Sequence, residues 1–189
     1  MALKDIKQQV LKCEDCNLHK DKIEYVFGEG NEKAEIVFVG EAPGANEDKQ
    51  GRPLVGRAGG ILDDLLCSIN LERGDIYICN ILKCRPSGNR NPSTNEINAC
   101  TKYLSAQIDT IKPKIICCLG NFATTFIMKK YGLKSKLDGI SKLHGKVFKV
   151  GGVFNNVKII PFYHPAVATY NPDMINVLKK DIKVLEEKK

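Results

Sequence analysis

Eight cysteines and three histidines are the residues of this 189-residue chain best suited to hold a metal or move a proton. Cys13 and Cys16 form a C-x2-C pair, a spacing that lets one turn of chain offer two thiolates to the same metal or cluster. Such a pair needs partners. Cys84 follows an apolar strand-like run, and Cys100 lies on the inward face of a helix whose start is marked by Ser93-Thr94-Asn95-Glu96, so folding can bring both to the first pair. Four thiolates suit zinc or a 4Fe–4S cluster, and spacing does not choose between them. Cys117 and Cys118, inside IICCLG, read as small buried hydrophobes. Cys67 and Cys79 read the same way, although Cys79 is near enough to Cys84 to stand in for it.

A second concentration of chemistry is GEAPGANEDKQGRPLVGRAGG, residues 40–60, a Gly/Pro-rich loop carrying Glu41, Glu47 and Asp48. A long surface loop with solvated charges is the bland explanation, but loops of this length inside a compact domain tend to be functional. The stretch holds neither a P-loop nor a dinucleotide fingerprint. Other polar residues follow apolar runs in the same way: Asn80, Asn121, and His164 in the sequence YHPA. His19 and His144 read as structural.

These residues need elements to position them. Leu3, Ile6, Val10 and Cys13 fall at helical spacing, and Glu35 to Gly40 is a β-branched and aromatic run that must turn at Glu-Ala-Pro-Gly. A loop is expected from there to Gly60, then a helical stripe of Ile61, Leu62, Leu65, Leu66 and Ile69. Strands are predicted at Asp75–Asn80, Lys114–Leu119 and Val157–Pro161. Helices are predicted after Ser93, after Gly120-Asn121, and over Asp173–Glu187. Alternation of this kind gives an α/β fold: four mostly parallel strands with helices on both faces and functional loops at the carboxyl ends of the strands.

Residues 1–189 read as one domain, large enough to bury a core without disulfide staples. No run approaches the roughly 18 apolar residues of a membrane span, and MALKDIKQQVLKC lacks the apolar segment of a signal peptide. The chain is therefore expected in the cytoplasm, where eight cysteines do not make a disulfide framework. A net charge of +7 modestly favours a polyanionic partner.

The ordered set made by the early C-x2-C, the GEAPG loop with Glu47-Asp48, Asn80 before KCRPSGNRNP, Cys100, LGN at 119–121 and YHPA at 163–166 spans nearly the whole chain. It resembles the family 4 uracil-DNA glycosylases, the iron–sulfur branch of that superfamily. The resemblance implies a three-layer α/β/α sandwich and a 4Fe–4S cluster on Cys13, Cys16, Cys84 and Cys100 that braces loops beside the DNA. It further implies excision of uracil from single- and double-stranded DNA, leaving an abasic site, by a monomer for which a replication clamp is a candidate partner.

The same resemblance assigns roles. Asn80 reads uracil, its carboxamide pairing with N3–H and O4 where cytosine presents the reverse pattern. Glu47 fills the space of a thymine methyl. His164 donates to uracil O2 as negative charge develops, and Glu41, with Asn89 as helper, orients the attacking water. Backbone at Ala42 and Gly44 lines the pocket. Arg57, Arg85 and Arg90 are candidates for phosphate contacts. Two departures stand out: Leu54 replaces the family's usual stacking Phe, and Val167-Ala168-Thr169-Tyr170 replaces wedge leucines, leaving Tyr170 as the candidate wedge. A binding module without turnover and a glycosylase for another deaminated base are the competing readings.

Overall fold

The computed structural model describes residues 2–151 and 156–188. Its centre is a six-stranded sheet of order β1-β3-β2-β4-β6-β5, formed by Glu29–Gly30 (β1), Ile36–Gly40 (β2), Ile76–Asn80 (β3), Ile115–Leu119 (β4), Phe148–Val150 (β5) and Val157–Phe162 (β6). The four inner strands run parallel; β1 and β5 close the two edges antiparallel. The four-strand expectation is thus corrected to six. The two additions are two and three residues long, too short to show a period of two in sequence.

Side chains of β2 alternate between two cores. Val37 and Val39 face one with Cys79, Ile116 and Cys118, against Leu3–Val10 (α1), Thr94–Ile111 (α5) and Gly120–Lys130 (α6). Phe38 faces the other with Ile78, Cys117 and Ile160, against Arg57–Cys67 (α4) and Met174–Ile182 (α9). This is the three-layer sandwich. The α4 stripe of Leu62, Leu65 and Leu66 is fully buried, worth about 1.5–3 kcal/mol per side chain against exposure. Cys117 and Cys118 lie in opposite cores, and Cys79 is equally buried.

Short helices complete the order: Leu18–Asp21 (α2), Ala45–Gln50 (α3), Ile140–Leu143 (α7) and Val167–Tyr170 (α8). The stretch expected as loop to Gly60 therefore contains α3 and the first turn of α4. Glu47 sits at the third position of α3 and accepts the Gly44 N–H at 3.1 Å, and Gly51 ends the helix in the left-handed region at φ 66°. The long final helix is also corrected: α9 stops at Ile182 and the chain tightens to a 3₁₀ helix over Lys183–Lys188. Among the described residues no helix is long and apolar enough to cross a membrane.

Candidate active site

Parallel strands ending in step set the site. Gly40 and Asn80 are paired neighbours at the ends of β2 and β3. The ladder runs on through Ile81 N–H to Gly40 O at 2.9 Å and Leu82 N–H to Glu41 O at 3.0 Å. A Cβ on Gly40 would lie 2.3 Å from Asn80 Oδ1, so only glycine lets the carboxamide sit there. Leu119 pairs with Phe162, which brings His164 beside Gly120, whose absent Cβ would lie 3.6 Å from that of His164.

A cavity of about 330 Å³ opens over these ends, lined by Glu41, Ala42, Pro43, Gly44, Glu47, Leu54, Ala58, Asn80, Pro86, Asn89, Arg90, His164 and Ala166. All the residues singled out in the sequence for catalysis or uracil binding are there. Asn121 is not: its Oδ1 accepts the Ile140 N–H at 2.9 Å, capping α7.

The Ala166 N–H donates to His164 Nδ1 at 3.2 Å. A backbone N–H can only donate, so Nδ1 carries the lone pair and the proton of the neutral ring sits on Nε2. Burial pushes the imidazole down to about 4, with the Glu47 charge opposing. Burial also raises the Glu41 carboxyl above its usual range.

Glu47 is fixed from three sides, Oε2 accepting from Gly44 N–H and Oε1 from the N–H groups of Val55 and Gly56, both at 2.9 Å. The preceding carbonyls are held from outside, Arg73 donating to Pro53 O at 3.1 Å and to Leu54 O, while also pairing with Glu29 and Asp63. Leu54, buried at φ 49°, is thus clamped in a left-handed conformation. Sequence reasoning missed Arg73 because nothing local marks it; its partners lie in distant segments.

The arginines differ. Arg90 makes a two-pronged pair with Glu96 at 2.6 and 2.9 Å, which commits its guanidinium to the start of α5. Arg85 Nε donates to Asn89 Oδ1 at 2.7 Å, shaping the loop that carries Asn89 at φ 57°. Arg57 is exposed at the start of α4, and Tyr170, at the end of α8, is 88% exposed.

Cys13, Cys16, Cys84 and Cys100 line one further cavity with Leu18, Leu82, Tyr25 and Tyr103; Cys79 does not reach it. All are free thiols. Burial and the neighbouring thiols push Cys84 up to about 12, and Cys100, mainly through burial, up to about 11. Thiolates at Cys84 and Cys100 are therefore stable only beside cations. Among the described residues, no three His, Cys, Asp or Glu side chains close on a single metal ion. The loop is braced by Tyr25 OH to Cys13 O at 2.7 Å and by His19 Nδ1 against Cys16 O at 2.7 Å.

The profile of the uracil DNA glycosylase superfamily matches residues 27–186. A type-4 uracil-DNA glycosylase of Archaeoglobus fulgidus is 47% identical over 98% of this chain and 92% of its own. The chain belongs to this family. Type-4 enzymes of Sulfurisphaera tokodaii and Thermotoga maritima are 45% and 43% identical, over 98% and 88% of this chain and 84% and 82% of theirs. The four cysteines and the strand-end cavity both fall within the stretch shared with the Archaeoglobus enzyme, which leaves almost none of this chain outside it.

Proposed function

We propose that the chain is a monofunctional uracil-DNA glycosylase, hydrolysing the N-glycosidic bond of deoxyuridine in DNA to release uracil and leave an abasic site for base-excision repair. The observation that carries this is the meeting of Glu41, Asn80 and His164 in one cavity at the strand ends. Action as a monomer belongs to the same reading.

A base within a duplex is out of reach, so the nucleotide is flipped into the cavity. There Asn80 pairs with uracil N3–H and O4. Glu47, immobilised by three N–H donors, is a wall that a C5-methyl would strike. Leu54 packs on the base face. As the C1′–N1 bond lengthens, positive charge grows on the sugar and negative charge on the base. Nε2–H of neutral His164 donates to O2, and stabilises the leaving anion without being consumed as an acid. Glu41, assisted by Asn89, orients the water whose oxygen bonds to C1′ as the C1′–N1 bond breaks; the water's proton passes to solvent, and solvent returns a proton to the released uracil anion. Arg57 and Arg85 suit phosphate contacts, and Tyr170 is exposed enough to fill the vacated stack. Arg90, engaged by Glu96, suits support of the Asn89 loop better than a free phosphate contact.

Cys13, Cys16, Cys84 and Cys100 would hold a 4Fe–4S cluster, which supplies rigidity, since hydrolysis transfers no net electrons. What supports a bound group there is that all four thiols line one cavity, and what favours a cluster over zinc is the likeness to type-4 enzymes. A brown colour and broad visible absorption in protein purified without oxygen would follow.

The test is cleavage of a labelled single-stranded oligonucleotide with one uracil, treated with hot alkali, beside a thymine control and His164→Ala. A uracil-specific nick, greatly slowed in the variant, is expected; no nick with the cysteine cavity loaded would overturn the enzyme and leave a binding module.

A further inference from the structure

Lys83 is 1% exposed, the one lysine among the fully buried side chains of the described residues, and the chemistry above does not use it. Its ammonium donates to Asn80 O at 2.8 Å and to Gln107 Oε1 at 2.6 Å. Both acceptors are neutral. Gln107, on α5, passes the connection on, its Nε2 donating to Phe27 O at 2.9 Å and Tyr77 OH at 3.3 Å. The backbone of Lys83 is fastened as well: its N–H donates to Cys100 Sγ at 3.3 Å and its carbonyl accepts the Val26 N–H at 2.8 Å.

Residues 80–84 therefore join two sites. Asn80 opens the segment in the strand-end cavity, Cys84 closes it in the cysteine cavity, and Lys83 bonds to Asn80 through its ammonium and to Cys100 through its backbone N–H. Burying an ammonium costs several kcal/mol even when it is hydrogen-bonded, and an apolar side chain would fill the same space without that cost. Retaining it buys directional bonds, and the direction is to the carbonyl of the residue that faces uracil.

We propose that Lys83 is a positioning residue that anchors Asn80 on the cysteine lobe, so that the carboxamide meets uracil in a fixed orientation. The inference rests on the glycosylase reading of the Asn80 cavity. It concerns binding of the base more than bond cleavage, because the Lys83 ammonium bonds directly to Asn80, whereas the His164 ring is held by the Ala166 N–H.

The test is Lys83→Met, which keeps the length and apolar stem and removes the donors. Visible absorption and iron content report whether the cysteine lobe is intact; inhibition by free uracil, with separate KM and kcat, reports the pocket. With the lobe intact, the uracil inhibition constant and KM are expected to rise roughly tenfold, the loss of about one buried hydrogen bond, while kcat changes less. In an Asn80→Ala background the same substitution adds nothing, and Lys83→Arg recovers part of the loss. Wild-type uracil affinity in Lys83→Met, or an equal effect in both backgrounds, overturns the proposal. Should Lys83→Met fail to fold, Gln107→Leu releases the ammonium from its second acceptor: a smaller rise in the same inhibition constant supports the proposal, and an unchanged constant overturns it. A wild-type chain that does not excise uracil sinks the reading beneath; an active wild type with an indifferent Lys83 sinks this inference alone.

Discussion

In the proposed mechanism His164 and Glu41 would act in opposite protonation senses, and their surroundings decide which one limits the reaction in acid. The imidazole must be neutral, and with its value pushed down to about 4 it stays neutral far below the usual 6.5. The carboxylate must be ionised, and burial lifts its value above the usual 4.5. As pH falls, Glu41 takes up its proton first. The rate on single-stranded DNA should therefore fall with an acid limb above the ordinary carboxylate value that disappears in Glu41→Gln and keeps its position in His164→Ala. A limb near 6.5 that vanishes with His164 would reverse the assignment. Much at this scale was legible in sequence: residue types at strand ends drew attention to Glu41, Asn80 and His164. The tautomer was not, because it depends on the Ala166 N–H folding back onto Nδ1.

The helix α4 tests how an element shapes the pocket from behind. Gly59 and Gly60 are consecutive in it, yet a Cβ on Gly59 would lie 1.8 Å from Leu54 O, while one on Gly60 meets nothing within 4 Å. Gly60→Ala should raise stability by about 0.5–1 kcal/mol, the usual gain of Ala over Gly inside a helix, with uracil inhibition unchanged. Gly59→Ala must push Leu54 out of the grip of Arg73, and is expected to lower the melting temperature and weaken uracil binding together. Equal behaviour of the two variants in thermal unfolding and uracil inhibition would show that the Leu54 backbone is not held from α4. Sequence periodicity revealed α4, α5 and the inner strands because each buries a regular stripe. It concealed α3, whose six residues ANEDKQ carry no apolar stripe and whose signals are only Gly44, Glu47 and Gly51. It also concealed β1 and β5, which take their conformation from the strands they edge.

Across the whole molecule the cysteine cavity joins segments that are far apart in the chain: the turn between α1 and α2, the segment after β3, and α5. A group bound by all four thiols closes loops of tens of residues, and linking such distant segments restricts the unfolded chain far more than the folded one. By analogy with covalent links over comparable loops, the contribution is about 2–4 kcal/mol. In a domain of this size each 1 kcal/mol moves the melting temperature by roughly 2–4 °C. Cys100→Ala should thus lose the visible absorption and melt several degrees to some 15 °C lower, whereas Cys67→Ala, exposed at the end of α4, should keep both. Buried Cys117 separates packing from ligation: Cys117→Ala should cost stability by leaving a small void and still retain the absorption. If Cys100→Ala instead melts like the wild type with its colour unchanged, the bound group draws on a different set of thiols, and Cys79 would have to leave the core to supply one.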